Sequence, residues 1–112
     1  MTTKIMTSIK LARSTEQAIL EAVVRDGYGL RGKSRWVEEA ILTFLNTYNF
    51  LEFVDIASAE EAFDKTLSMR LYEATANKLE EALLQVRQQY PLMEGVKSNI
   101  IRASVMQRLI RA

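Results

Sequence analysis

Thr7-Ser8-Ile9-Lys10-Leu11 returns sixty residues later as Leu67-Ser68-Met69-Arg70-Leu71. Internal repetition of this kind constrains a fold more than composition does, because each copy has to build the same unit. The offset of sixty continues through Thr15 with Thr75, Gln17 with Asn77, Ile19 with Leu79, Glu21 with Glu81, Ala22 with Ala82, and Val23-Val24 with Leu83-Leu84. Beyond a loop the match resumes at an offset of sixty-four. Lys33-Ser34 meets Lys97-Ser98, Val37 meets Ile101, Ile41 meets Val105 and Leu45 meets Leu109. The second copy therefore holds four extra residues between its two helical segments. A few chance identities do not supply the same order of elements and the same Lys-Ser step in both copies.

Each copy reads strand, helix, turn, helix. Residues 4–12 and 65–72 alternate apolar and polar, the period of a half-buried strand. In the first copy Ser14 with Gln17 has the spacing of a capping box, and a helix is expected from there to about Arg25, burying Ile19, Ala22 and Val23. Gly27, Gly29 and Gly32 break it. Ser34 is the expected cap of the next helix, whose apolar face is Val37, Ala40, Ile41, Phe44, Leu45 and Tyr48. In the second copy Leu79, Ala82, Leu83 and Val86 mark the first helix, Pro91 stops it, and Ser98 is the expected cap of a helix burying Ile101, Val105 and Leu109. The whole of 1–112 reads as one domain: repeat one over 4–48, an acidic solvated linker over 49–64, and repeat two over 65–112. Ser58 with Glu61 is the expected cap of one short helical turn in that linker.

One strand per copy implies a pair. A lone strand leaves its backbone N–H and C=O groups unmet, and a unit of about fifty residues has too little core. Pairing the two strands antiparallel, with four helices packed beneath, solves both. The expected fold is mainly α with one two-stranded antiparallel ribbon. Thr7, Ile9, Leu11, Leu67, Met69 and Leu71 then point inward, and Met6, Ser8, Lys10, Thr66, Ser68 and Arg70 outward.

Composition narrows the function. The chain has 112 residues, 48% of them apolar and 26% charged, and no Cys or His. Without those two residue types there is no Ser-His-Asp or Cys-His nucleophile and none of the usual zinc sites. The four glycines fit neither phosphate-binding spacing. An enzyme is not expected, nor a cofactor. No apolar run spans a bilayer and residues 1–10 do not read as a signal peptide, so no membrane partner is expected. The lack of Cys suits a cytoplasmic protein. The net charge is only +1, yet it is unevenly spread. Residues 1–35 hold seven Lys/Arg against three Asp/Glu, residues 36–64 seven Asp/Glu and no Lys/Arg, and residues 65–112 eight Lys/Arg against four Asp/Glu. For nucleic acid the local field of one face matters more than the total. The plainer account of these charges is solvated helix faces.

With these strands, helix pairs and Lys-Ser helix starts, nearly the whole chain resembles the ribbon-helix-helix (Arc/MetJ) superfamily, twice over. Two fused units in one chain, a single-chain pseudo-dimer, resemble the architecture of TraY-type proteins of conjugative plasmids. The resemblance implies double-stranded DNA as partner, with the ribbon in the major groove. It implies base contacts from Met6, Ser8 and Lys10 on one strand and Thr66, Ser68 and Arg70 on the other. Lys10 and Arg70 suit guanine O6 and N7, the two serines suit any base, and Met6 and the Thr66 methyl suit a thymine methyl. It implies phosphate contacts at the second-helix starts, Lys33, Ser34, Arg35 and Lys97, Ser98, Asn99, where free N–H groups favour an anion. The plainer accounts are a solvent-facing strand surface and two simple serine caps. Trp36, Tyr28, Tyr48 and Tyr90 read as packing residues.

The expected function is sequence-specific DNA binding, as a plasmid transfer-origin (relaxosome) accessory factor or a transcriptional repressor. Further copies on adjacent sites and a relaxase or other transfer protein are the expected protein partners. The outward triplets differ, so a non-palindromic subsite is expected. An antitoxin or partition repressor is disfavoured because no partner-binding tail is visible. The alternative from another class is a helical protein-interaction module that does not bind DNA.

Overall fold

The computed structural model describes residues 3–29, 31–47, 49–57 and 65–111. The order of elements is β1 (Lys4–Leu11), α1 (Arg13–Arg25), α2 (Lys33–Leu45), α3 (Phe50–Ala57), β2 (Lys65–Tyr72), α4 (Glu73–Gln89) and α5 (Val96–Arg111). The protein is thus mostly helical, with one two-stranded antiparallel sheet. Among the described residues no helix is long and apolar enough to cross a membrane.

The register of the ribbon pairs Lys4 with Tyr72, Met6 with Arg70, Ser8 with Ser68 and Lys10 with Thr66. Alternation places Thr7, Ile9, Leu11, Leu67, Met69 and Leu71 in the core and leaves the even-numbered positions exposed. The helices pack beneath the inner face. α1 buries Ile19, Ala22 and Val23, and α4 buries Thr75, Leu79, Ala82, Leu83 and Val86. α5 is enclosed on nearly every side over Asn99–Val105, touching all four other helices and β1. Its apolar period predicts only Ile101, Val105 and Leu109. A helix surrounded by neighbours also buries its polar face, here Asn99, Arg102 and Ser104.

The ends of the helices differ from expectation. α1 starts at Arg13 without a side-chain cap, because β1 runs to Leu11 and the chain turns at once through Ala12, so no Ser14–Gln17 capping box forms. It ends in a left-handed turn. Gly27 has φ +81°, its N–H donates to the Val24 carbonyl at 3.1 Å, and the Tyr28 N–H donates to the Val23 carbonyl at 3.0 Å. Such a turn satisfies the last carbonyls and favours a residue without Cβ. Gly32, not Ser34, occupies the cap of α2, where a Cβ would lie 2.4 Å from the Tyr28 carbonyl oxygen. Ser98 stands two residues inside α5, which begins at Val96 after Gly95 at φ +61°.

Helix α3 corrects the expected solvated linker over Phe50–Ala57; residues 58–64 of that linker lie outside the described residues. Val54 is fully buried, Phe50 and Leu51 pack against the core, and Phe44 meets Phe50 and Phe53 edge-on at 5.8 and 6.4 Å between ring centroids. The acidic residues of this stretch mask a Phe-Leu-Glu-Phe-Val run that is mostly apolar. The Ser58–Glu61 turn and Tyr48 lie outside the described residues.

Candidate nucleic-acid interface

The outer face of the ribbon carries four cross-strand pairs. The backbone N–H groups of Arg70 and Tyr72 point away from β1: the first donates to Ser34 Oγ at 3.1 Å and the second to Glu38 Oε2 at 2.8 Å. Those residues therefore sit in the closer, non-hydrogen-bonded kind of antiparallel pair, and Ser8↔Ser68, two residues further along, does so too. The two serine hydroxyls accordingly meet at 3.0 Å in the middle of the ribbon. One of them donates to the other, which leaves the pair one free hydrogen and open lone pairs, reversible between the two sides. To one side lie Met6 with Arg70 and to the other Lys10 with Thr66. All six residues are exposed. With Lys4 and Tyr72 the outer face holds three cations and no acidic residue.

The starts of α2 and α5 lie at opposite ends of the ribbon. α2 follows β1 in sequence but is anchored to β2, through Ser34 and Glu38. α5 follows β2 but is anchored to β1, where Arg102 donates from Nη1 to the Lys10 carbonyl at 2.7 Å. Glu38 and Arg102 are both more than nine-tenths buried, and each covers backbone groups on a strand edge that would otherwise face outward unpaired. Sixty-four residues apart, they carry opposite charge, which suits their tasks: a carboxylate accepts from an N–H and a guanidinium donates to a C=O.

At the helix starts, Arg35 is exposed and pairs with Glu39 at 3.2 Å, while Lys97 pairs with Glu80 at 3.7 Å. Exposed pairs of this kind contribute about 0–1 kcal/mol and give way readily to a stronger anion. Lys33, Ser34, Lys97 and Ser98 are half-buried. Asn99 is not at the surface. Its side chain donates to the Glu94 carbonyl at 3.1 Å and accepts from Arg102, and its N–H donates to the Gly95 carbonyl. That inward commitment removes Asn99 from the expected phosphate contacts.

Behind α2 a polar knot ties α5 to the α1–α2 turn. Arg108 stacks 4.5 Å from the centroid of the fully buried Trp36 ring, and donates to the Trp36 carbonyl at 2.8 Å and to the Tyr28 hydroxyl at 3.0 Å. Tyr28 in turn donates to Glu39. The Trp36 indole donates to Asp26 at 2.9 Å and, as the largest influence, holds that carboxyl below the usual aspartate range; partial desolvation opposes it and Arg25 and Arg108 assist it. Burial pushes Glu39 up, but Tyr28, Arg35 and Arg108 together hold it below the usual glutamate range.

Sequence reasoning placed the six central outward residues and missed Lys4 and Tyr72, although the same alternation extends to both. It also missed Glu38 and Arg102, whose signal is a charge directly after an apolar core residue, Val37 and Ile101, within an amphipathic helix. Comparison of the chain with protein-family models, with curated proteins and with solved structures returns no match.

Proposed function

We propose that this chain binds double-stranded DNA in a sequence-specific manner, through a ribbon laid in the major groove, and that its halves are two fused strand-helix-helix repeats. The observation that carries the reading is a coincidence of two numbers. The repeat offset of sixty makes Ser8 equivalent to Ser68, and the strand register independently pairs Ser8 with Ser68. An approximate two-fold axis through that pair relates Met6↔Arg70 to Thr66↔Lys10, as two fused copies require. The ribbon is of a width that the major groove admits, and its outer face lacks the carboxylates that phosphates would repel.

In this reading Arg70 and Lys10 take guanine edges, Met6 and Thr66 take thymine methyls, and the Ser8–Ser68 pair tolerates either donor or acceptor at the centre. Lys33, Ser34, Arg35, Lys97 and Ser98 hold phosphates on the two flanks. The protein works in the cytoplasm as a transfer-origin accessory factor, alongside a relaxase or other transfer protein, or as a repressor, with several copies on adjacent sites. The first role rests on architectural likeness alone.

A salt titration of duplex binding tests this. Lys10→Ala/Arg70→Ala is expected to erase preference among sequences. Lys33→Ala/Lys97→Ala is expected to weaken all sequences alike and to flatten the slope of log K against log salt by about one for each phosphate that is no longer neutralised. Absence of any binding at low salt refutes the reading. It would leave a protein-interaction module, for which the exposed Leu84, Leu92 and Ile110 speak.

A further inference from the structure

We infer that Lys4 and Tyr72 hold the DNA backbone at one end of the ribbon only, and that this end fixes the direction in which the molecule sits on its site. The inference rests on the DNA-binding reading and goes beyond its six base readers and two helix starts.

Lys4 and Tyr72 are register partners at the end of the ribbon where β1 begins and β2 ends, and both are exposed on its outer face. The Lys4 ammonium lies 4.7 Å from the centroid of the Tyr72 ring. Among the described residues no carboxylate is within ion-pair distance of it, so the ring face holds the cation in place without neutralising it. The strand that carries the ring is anchored, because the Tyr72 N–H donates to the buried Glu38 carboxylate. The end thus presents a tyrosine hydroxyl and an ammonium held over the same ring, two donors that a phosphodiester oxygen accepts from.

The pair opens onto a cleft of about 470 Å³ that Ser34, Arg35 and Arg70 also line. The two acids on its wall are already engaged, Glu38 by the Tyr72 N–H and Glu39 by Tyr28 and Arg35. Glu38 keeps its charge but is turned inward to the strand edge, and Arg35 is paired with Glu39, so the exposed cations left to meet an incoming polyanion are Lys4 and Arg70.

The repeat gives the opposite end equivalents of Arg70 and Ser34, namely Lys10 and Ser98, but none of the Lys4–Tyr72 pair or of Arg35. By the repeat offsets, Ala12 stands where Tyr72 does, Asp64 where Lys4 does, and Asn99 where Arg35 does. Asn99 is buried, and Ala12 offers neither a ring nor a donor. The two ends of the ribbon thus present different groups, an exposed ammonium held on a tyrosine ring at one and Ala12 in place of that ring at the other, and a DNA strand held at the first is not held equally at the second.

The test begins with the preferred duplex, selected from a random-sequence pool with the full chain, and maps backbone protection by hydroxyl-radical footprinting. Lys4→Ala and Tyr72→Ala are each expected to remove protection from one edge of the footprint and leave the other edge intact. Lys4→Ala should also lower the salt slope by about one, and Tyr72→Phe, which keeps the ring under Lys4 and removes only the hydroxyl, should lose less protection at that edge than Tyr72→Ala. Both residues are exposed, and melting temperatures near wild type will establish that the variants are folded. A wild-type-like footprint and slope in the folded Lys4→Ala and Tyr72→Ala variants overturns the proposal while leaving DNA binding in place. So does symmetric loss at both edges. Failure of the wild type to select any duplex overturns both readings together.

Discussion

Two buried charged residues, Glu38 and Arg102, hold the strand edges, and their removal should be felt more than that of any surface ion pair. Glu38→Ala leaves the Tyr72 N–H without its acceptor, at a cost of about 1–3 kcal/mol. Glu38→Gln keeps an acceptor and should lose distinctly less, and urea denaturation of the two variants measures the difference. The polar knot supplies a pH response. Asp26 and Glu39 are both held below their usual ranges in the folded protein. Their contribution is complete above the unfolded values near pH 4 and is lost as the pH falls through the lowered folded values. The urea midpoint should therefore be flat above about pH 5 and fall below about pH 4, followed through the fluorescence of the single tryptophan, Trp36. Asp26→Asn, which still offers the indole an acceptor, should make that fall shallower. An unchanged acid limb would mean that the carboxylate is not favoured by folding.

At the scale of elements, α3 is the least expected part of the fold. Val54→Ala should cost about 2 kcal/mol in urea denaturation, because the side chain is fully enclosed, whereas a substitution in a solvated linker costs almost nothing. The strands were legible in the sequence because a period of two has only one solution once a single face must be buried, so Thr7, Ile9 and Leu11 could be assigned without a partner in view. The outward residues of the candidate site followed from the same alternation. Helix caps were not legible: Ser14 and Ser34 have suitable side chains, but the cap position is set by where the preceding strand or turn delivers the chain, and that is a tertiary matter. Nor was α5 legible in full. A stripe of Ile101, Val105 and Leu109 says that one face is covered, and nothing in that spacing says that Ile100, Ala103 and Ser104 are covered as well.

At the scale of the whole molecule, each half is held by the other. β1 pairs with β2, α2 is anchored to β2, and α5 is anchored to β1. Fragments 1–57 and 58–112 are therefore expected to be unfolded when made separately and to recover helical circular dichroism on mixing. A folded isolated fragment would show that the interlocking is dispensable. The same interlocking governs how the chain first acquires its shape. Ser8 waits for a partner sixty residues further on, and the Lys10 carbonyl for a guanidinium ninety-two residues away. Contacts so distant in sequence close late and slowly. During synthesis at the ribosome, β1 emerges with its edge bare and stays so until β2 has been made. The nascent N-terminal half is thus the form of this protein most open to chaperones, to proteases and to other copies of itself.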